Sequence, residues 1–476
     1  METNLKRKIP FGKKVGYSFG GATDTLAYDF VALFLMFFMT DMAGINPAVA
    51  GTIISLGVIW DVITDPIIGA LSDKTNTRFG KKRTWLLVAM PALLISYCLL
   101  FTDLGFTGGA QTAYFVILSM AFWTAYTCFS VPYYSMGASM TMDNDERTKI
   151  RMLGMIIQYV GIFFSNVAPT MLVTVLLNSG MDTYQAWHIT AWVAAALCVG
   201  TLAVVFVSTK GIELDIETKQ EEKRANFFKE AVEALKIKPY LILVIMNIFY
   251  RVGYCLVITL MTYYILYSVG LSTGQMSVAT FVISFGGIVV VSVLMKFVGK
   301  FDKIKIFVVL NIITGAAMII AHFLNIASLG ALVVLFVFYL LGSACYWSMN
   351  MPMMYDTVEV DEFQSGYRKE GTMFSIYLCV QKVGYAIAAS VIGQVLARVG
   401  YDDTLGAANP EPVLNAISAM FCIGSGVCFI IAALIMLAYP LKADVYEKLY
   451  AQLEKKRAGE EYNTEGFAHV LSKKYR

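Results

Sequence analysis

Long apolar stretches, separated by short polar connections, recur along the whole chain. A helix needs about 20 mostly apolar residues to cross a bilayer, and each of these stretches reaches that length. Twelve such stretches predict an all-α membrane protein with twelve transmembrane helices. They lie near residues 15–40, 47–72, 84–102, 111–139, 152–177, 187–208, 239–268, 276–299, 305–325, 330–355, 371–397 and 412–439.

The composition excludes the soluble classes of protein. Hydrophobic residues make up 58% of the chain and charged residues only 15%, whereas soluble domains are about 45–50% apolar and about 25% charged. The net charge of +3 is too close to neutral to predict nucleic-acid binding. The eight cysteines lie in apolar runs without a CxxC pair, which predicts buried packing residues and neither a disulfide framework nor a zinc site.

The basic residues concentrate in alternate connections. Of the 37 Lys and Arg residues, 34 lie in the N-terminal segment, the C-terminal tail and every second connection between spans. The positive-inside rule assigns such segments to the cytoplasm. We therefore predict a multi-pass protein of the plasma (inner) membrane with both termini cytoplasmic. Of the other three basic residues, Arg398 lies in an external connection, and Arg251 and Lys382 lie inside predicted spans.

The longest charged connection divides the spans into two sets of six. A basic turn follows the second span of each set, in LSDKTNTRFGKKRTW and in MKFVGKFDKIKIF, which indicates a weak internal repeat. Two such halves are typical of the major facilitator fold, in which the binding site lies near mid-membrane. The predicted regions are a cytoplasmic N-terminus (1–14), an N-terminal half (15–208), a central cytoplasmic loop (209–238), a C-terminal half (239–440) and a cytoplasmic tail (441–476).

Charged residues inside the predicted spans are the strongest functional signal. Each costs at least ~2.5–3.5 kcal/mol on insertion scales. Asp61 and Asp65 are spaced i, i+4, so they share one helical face at about 5–6 Å between Cβ atoms. Two carboxylates at that distance repel unless one is protonated or a cation lies between them. The pair therefore predicts a site for reversible binding of Na⁺ or H⁺. The other charges of this kind are Asp24, Asp29, Arg251 and Lys382.

A structural interpretation of these charges stays open beside the functional one. Asp61 and Asp65 would then form salt bridges with Lys382 and Arg251. In the functional interpretation, Lys382 is the counter-ion of the carboxylate pair, and a cation that displaces its ammonium changes the electric field in the cavity. Arg251 fits an interhelical clamp as well as a substrate contact.

Aromatic residues at mid-span depth are expected mostly to pack or to lie at the membrane interfaces. The few that face the cavity would stack on the apolar C–H faces of sugar rings. The sequence contains no P-loop, GxSxG, HExxH or metal-ligand cluster, so we predict no enzymatic activity and no cofactor besides a coupling ion. The aromatic candidates are Tyr28, Trp60, Trp123, Tyr126, Tyr134, Trp347 and Tyr377.

Several motifs resemble those of the glycoside–pentoside–hexuronide cation symporters, the family of melibiose permease. The resemblance covers nearly the whole chain, and the Asp-x-x-x-Asp-Pro helix followed by a Gly-Lys basic turn is its most specific part. The motifs are GYSFGGATDTLAYDF in span one, IWDVITDPIIG with NTRFGKKRTWLL at span two, VPYYSMGASMTMDNDER after span four, YWSMNMPMMYDTVEVDEF in span ten and KEGTMFSIYLCVQKVG in span eleven.

The resemblance implies roles for individual residues. It makes Asp61 and Asp65 the cation ligands, with Thr127 as a further oxygen, and it makes Asp24 a hydrogen-bond partner of sugar hydroxyls. With the aromatic and charged candidates, the predicted substrate-binding residues are Asp24, Tyr126, Ser130, Tyr134, Arg251, Trp347, Tyr377 and Lys382. The residues that match cytoplasmic gating positions are Arg147, Asp356, Glu359 and Arg368.

The chain also departs from melibiose permease. Thr64 replaces an Asn between the carboxylates of span two. Near the proline of span four, Ser130 and Tyr134 stand in place of an Asp and a Trp. In span five an Arg becomes Met155, with Arg151 one turn earlier. These differences leave the sugar and the coupling ion open.

Together these features predict a symporter that moves a sugar or glycoside with H⁺ or Na⁺ by alternating access. Ser130 removes a negative charge from the cavity and Arg251 adds a fork suited to a carboxylate, which favours an acidic sugar such as a glucuronide. The alternatives are a carrier of a lysolipid or other amphiphile on the same fold and a non-transporting sugar sensor. We expect a monomer whose partners are its small-molecule substrate and membrane lipid.

Overall fold

The computed structural model describes residues 9–140, 144–211, 232–295, 302–366 and 370–471. Within these ranges the ordered elements are all helices, joined by short turns, and no strand occurs. The prediction of an all-α protein is therefore confirmed.

Six long helices form the N-terminal half in the described part of the chain. α1 ends in a π-helical turn, Phe38–Met42, and α5 continues through a π-helical turn, Phe163–Val167, into Ala168–Asn178. The helices are α1 (Phe11–Phe37), α2 (Pro47–Lys74), α3 (Arg83–Leu100), α4 (Gly108–Ser139), α5 (Asn144–Ile162) and α6 (Thr183–Ser208).

The described part of the C-terminal half has the same order. α7 ends in a π-helical turn, Tyr264–Ser268, and α12 contains one, Ala419–Gly424, which continues into Ser425–Leu437. A further helix, α13 (Ala443–Ala458), lies in the C-terminal tail. The helices before it are α7 (Lys238–Tyr263), α8 (Thr273–Met295), α9 (Lys303–Phe323), α10 (Leu329–Ser365), α11 (Glu370–Arg398) and α12 (from Glu411–Ser418).

The helix lengths fit a membrane protein. Among the described residues, eleven helical segments are long and apolar enough to cross a membrane. The helix α8 occupies the place of the remaining predicted span. The predicted twelve-helix architecture is therefore confirmed.

The same helix pairs pack together in both halves. α3, the third helix of its half, packs against α4 and α6, and α9, the third helix of the other half, packs against α10 and α12. In the N-terminal half, α1 also packs against α5 and α6, and α2 packs against α4. The internal repeat of the sequence is thus matched by a repeat in the helix packing. Within the N-terminal half, α2 and α4 lie side by side.

The contacts between backbone positions group the chain into two compact units. Unit 1 contains α1–α6 and the parts of α7, α8, α11 and α12 that fall within its ranges, and unit 2 contains α9, α10 and α13. The sequence boundaries 15–208 and 239–440 stay a prediction. Unit 1 consists of Met1–Thr218, Ile258–Ser284 and Ala389–Ile417, and unit 2 of Lys219–Val257, Phe285–Ala388 and Ser418–Arg476.

Candidate cation and sugar sites

The carboxylate pair of α2 meets a threonine of α4 inside unit 1. The Thr127 hydroxyl donates to Oδ1 of Asp61 at 2.5 Å, and its oxygen lies 3.3 Å from Oδ1 of Asp65. The hydroxyl of Thr64 lies 3.4 Å from that of Thr127. Asp61 is only 1% exposed and Thr127 is fully buried. The structure thus brings together the three residues predicted to bind the cation.

Helix geometry explains this convergence. One turn separates Asp61 from Asp65, so both side chains point from α2 toward the same stretch of α4. Pro66 follows directly within α2 and has no N–H, so the carbonyl of Val62 lacks its usual helical donor beside the pair. The site is therefore rich in oxygen atoms, which are the ligands that hard cations prefer.

The predicted sugar-binding carboxylate lies next to this pair along α4. The Tyr126 hydroxyl donates to Oδ1 of Asp24 in α1 at 2.7 Å, and the hydroxyl of Tyr134 also interacts with Asp24. The rings of Tyr28 and Trp123 surround Tyr126 with centroids 6.0 and 5.6 Å from it. Asp24 therefore lies beside the hydroxyls of two aromatic residues within unit 1.

Consecutive residues of α4 connect the two clusters. Tyr126 contacts Asp24, and Thr127 contacts Asp61 and Asp65. Ser130 lies one turn further along α4 and is buried as well. A movement of this part of α4 would therefore change the contacts of both clusters.

Arg251 forms the centre of a second cluster, within unit 2. It is only 4% exposed, and its guanidinium carbon lies 5.0 Å from the ring centroid of Tyr254 and 5.7 Å from that of Trp347. Cations at this distance from an aromatic face are attracted by its quadrupole. The structure thus brings the predicted substrate residues Arg251 and Trp347 together, whereas Trp347 itself is 47% exposed.

Tyr377 belongs to a buried polar network beside this cluster. It is fully buried, and its hydroxyl donates to Oδ1 of Asn350. The hydroxyl of Tyr346 donates to Oδ1 of Asn247, and the Tyr346 ring stacks on Tyr250 with centroids 3.6 Å apart. Tyr377 therefore packs between α10 and α11 in this state. Lys382 lies further along α11 and is partly buried.

The described gating candidates have partners within unit 2. Asp356 forms an ion pair with Lys303 of α9 at 3.5 Å. Glu359 accepts a 2.5 Å hydrogen bond from the hydroxyl of Tyr446 in α13. Arg368 and the side chain of Arg147 lie outside the described residues.

Two further sets of contacts have no counterpart in the sequence interpretation. One is the attachment of the tail helix α13 to α10. The other surrounds Asp41 in the π-helical turn after α1, where tyrosine hydroxyls from distant parts of the chain converge. The available signal was that Asp41 lies in the predicted external connection 41–46.

Comparison with known proteins assigns most of the chain to one family. A family model described as MFS/sugar transport protein matches residues 16–443. The isoprimeverose transporter of Lactiplantibacillus pentosus is 26% identical over 96% of this chain and 94% of its own length. For the glucuronide carrier protein homolog of Escherichia coli (strain K12) the identity is 23%, over 95% of this chain and 97% of the relative.

A third relative has a different kind of substrate in its name. The sodium-dependent lysophosphatidylcholine symporter 1 of Xenopus tropicalis is 21% identical over 92% of this chain and 89% of its own length. The match to a family of sugar transport proteins and the likeness to named sugar carriers favour the sugar interpretation over the lysolipid one. With twelve spanning helices in its described part and polar clusters inside the spans, the chain belongs to the MFS/sugar transport proteins, as a sugar or glycoside:cation symporter of the glycoside–pentoside–hexuronide type.

Proposed function

We propose that this symporter binds its coupling cation at Asp61, Asp65 and Thr127 and its sugar at Asp24, Tyr126 and Tyr134. The observation that carries the proposal is the adjacency of Tyr126 and Thr127, because neighbouring residues of one helix contact the carboxylates of both clusters.

Cation binding changes the role of Thr127. In the structure its hydroxyl donates a hydrogen to Asp61. A Na⁺ ion between the carboxylates would instead take a lone pair of that oxygen, and a proton on either carboxylate would become a donor to it. In both cases the hydroxyl rotates and α4 adjusts at residue 127. The hydrogen bond from Tyr126 to Asp24 then changes, so occupancy of the cation site alters the affinity for the sugar.

Variants of the two clusters test these roles separately. Asp65→Asn removes one charge from the cation cluster, so accumulation against a gradient is lost while sugar binding persists. Asp24→Asn leaves the cation cluster intact and weakens sugar binding itself. The measurements are uptake into vesicles and thermal shift of purified protein with a panel of sugars, with and without Na⁺ and at several pH values, since a ligand stabilises the state it binds. Full accumulation by Asp65→Asn would contradict the cation assignment.

We further propose that the substrate carries a carboxylate, which Arg251 recognises. Arginine presents a planar fork that matches a carboxylate, and Trp347 and Tyr254 hold the guanidinium in place. The name of the related glucuronide carrier protein homolog supports the same class of sugar. The proposed set is completed by Ser130, Tyr377 and Lys382.

Replacing Arg251 by Gln tests this substrate class. The variant should lose affinity for the acidic sugar and keep its affinity for the neutral analogue. An equal loss for both sugars would instead assign Arg251 to the packing of α7 against α10. Binding of lysophosphatidylcholine with no response to any sugar would favour the amphiphile carrier, and sugar binding without uptake would favour the sensor.

The cytoplasmic gate is proposed at Arg147, Asp356, Glu359 and Arg368, with both termini in the cytoplasm. The ion pair of Asp356 with Lys303 and the bond of Glu359 with Tyr446 give this region two polar contacts in the present state. Na⁺ and H⁺ both suit the oxygen cluster, and the cation series above distinguishes them.

A further inference from the structure

Hydroxyl groups from three parts of the chain surround one carboxylate near the end of the first span. Oδ1 of Asp41 accepts hydrogen bonds of 2.5 Å from the hydroxyls of Tyr267 and Tyr401. Oδ2 accepts from the hydroxyl of Thr40 at 2.6 Å, and that hydroxyl lies 2.5 Å from the hydroxyl of Tyr263. Each hydroxyl carries one hydrogen, so Tyr263 donates to Thr40 while Thr40 donates to Asp41.

This arrangement suits an ionised carboxylate, because an ionised carboxylate only accepts hydrogen bonds. Hydrogen bonds to an ionised group are shorter and roughly twice as strong as neutral ones. Burial and the neighbouring Asp41 raise the pKa of the Tyr401 hydroxyl above its usual value, so this donor keeps its hydrogen. We name Asp41, Tyr267 and Tyr401 the aspartate latch.

The latch joins both sequence halves inside unit 1. Asp41 follows α1, Tyr267 lies in the turn after α7, and Tyr401 lies in the connection after α11. Ring contacts support the hydrogen bonds, since Tyr263 lies with its centroid 5.7 Å from Tyr401 and 5.6 Å from Phe37. Tyr263 is fully buried. The ends of three helices are therefore held at one point.

Two further contacts join the halves on the same membrane face. A Cβ built on Gly393 of α11 would lie 2.3 Å from the carbonyl oxygen of Pro47, so α2 and α11 are in backbone contact. The hydroxyls of Thr170 and Ser277 lie 2.7 Å apart, between α5 and α8. Each of these residues lies in a connection that the charge distribution predicts to be external, or in the half of its helix nearer to one. Within unit 1 these contacts therefore join the two sequence halves on this face.

We propose that Asp41 is a gate residue of the transport cycle, whose bonds to Tyr267 and Tyr401 hold this face closed. Alternating access requires the face to open once per cycle, and the segments that carry Tyr267 and Tyr401 then leave the carboxylate. The latch residues are separate from those proposed for the sugar and the coupling ion. Its proposed effect is on the ratio of closed to open molecules, and it does not depend on the assignment of the cation and sugar clusters.

A distance measurement without any ligand tests the latch. Nitroxide labels on Leu104→Cys and Leu405→Cys report the separation of two exposed external connections, one from each half. The labels are placed in a variant without the eight native cysteines that retains transport, reconstituted in lipid nanodiscs. Pulsed electron paramagnetic resonance then gives the populations of short and long distances.

The test variant is Tyr267→Phe with Tyr401→Phe, because phenylalanine keeps the rings and removes only the hydroxyls. We expect the ratio of open to closed molecules to rise about tenfold for each charge-assisted bond removed. Asp41→Asn should shift the ratio in the same direction. The matched control is Tyr184→Phe, since the Tyr184 hydroxyl bonds the backbone N–H and carbonyl of Asp103, within the N-terminal half.

The possible results separate the proposal from its rivals. A rise in the long-distance population in the double variant but not in Tyr184→Phe supports the latch. An unchanged distance distribution in the double variant overturns it, and so does an equal shift in the control. Because the Tyr→Phe variants keep the carboxylate and the ring packing, the test stands even where Asp41→Asn fails to fold.

Discussion

The Tyr446 hydroxyl of the tail helix donates a 2.5 Å hydrogen bond to Oε2 of Glu359 in α10. Lys456 donates to the Phe363 carbonyl at 2.6 Å, and Arg457 forms a two-point ion pair with Glu362. Leu449 and Leu453 of α13 are buried as well. The tail helix is thus an integral part of unit 2 and touches a proposed gating residue.

Replacing Tyr446 by Phe should loosen this attachment. The change removes one hydrogen bond to a carboxylate and leaves the ring in place, so we expect a loss of roughly 1–2 kcal/mol of stability. The measurement is the thermal midpoint of the purified protein together with protease sensitivity of the tail. Glu447→Gln, on the exposed side of the same helix, is the matched control. Equal midpoints for Tyr446→Phe and the wild type would contradict a stabilising role.

The stability difference between wild type and Tyr446→Phe should depend on pH in one direction only. Burial, the bond to Glu359 and the nearby acidic groups raise the pKa of the Tyr446 hydroxyl above its ordinary value. The folded protein thus favours the protonated hydroxyl, so the contribution is complete below the ordinary pKa of about 10 and is lost as the pH rises above it. Thermal midpoints of both proteins should keep a constant separation between about pH 6 and pH 9. A separation that changes within this range would contradict the assignment.

Because α9 and α12 are in close contact at Gly315, we predict that a larger residue at this position destabilises the protein. A Cβ on Gly315 would lie 2.6 Å from the carbonyl oxygen of Gly426, which is too close for any real contact. Gly315→Ala should therefore force the helices apart and cost about 1–3 kcal/mol. Gly330→Ala is the control, because a Cβ there meets nothing within 4 Å. Equal expression and thermal midpoints for the two variants would show that α9 and α12 adjust without strain.

The carboxylate pair shows how much the sequence determines. Asp61 and Asp65 are separated by one helical turn and stand in an apolar run, so spacing and burial cost alone predict a shared site. The resemblance added Thr127, and the structure places its hydroxyl 2.5 Å from Asp61. Local periodicity and the high cost of buried charge were sufficient for the carboxylate pair, but not for Thr127.

The latch shows where sequence reasoning ends. Asp41 is 226 residues from Tyr267 and 360 from Tyr401, and neither tyrosine stands out in its own segment. Such pairs are set by the packing of whole helices, which no local pattern encodes. Tyr377 illustrates a second limit, because its mid-span depth predicted a sugar contact while nothing in the sequence indicated its buried hydrogen bond to Asn350. Depth along a helix is readable from sequence, but the direction a side chain faces among many apolar neighbours is not.

Protein topology gives a prediction that depends on charge alone. Because 34 of the 37 basic residues lie on one set of connections, a reporter fused after Arg476 should be cytoplasmic, and so should one within residues 209–238. A tag inserted near residues 106–109 should be labelled from outside by an impermeant reagent. External labelling of the 209–238 segment would contradict the twelve-span orientation.

Because Tyr126 and Thr127 are adjacent, we predict that removing the Thr127 hydroxyl makes sugar affinity less dependent on the cation. Thr127→Val keeps the shape of the side chain and removes the hydroxyl that contacts Asp61 and Asp65. Sugar affinity in the absence of the coupling cation should stay close to wild type, whereas the gain in affinity on adding the cation should fall about tenfold, as expected for a lost coupling of roughly 1.4 kcal/mol. Thr127→Ser retains the hydroxyl and should behave like the wild type.

Tyr126→Phe should instead weaken sugar binding with and without the cation, because it acts on Asp24 directly. Calorimetric titration of each variant under both conditions gives these values, and a cation response in Thr127→Val equal to that of the wild type would rule out Thr127 as the link.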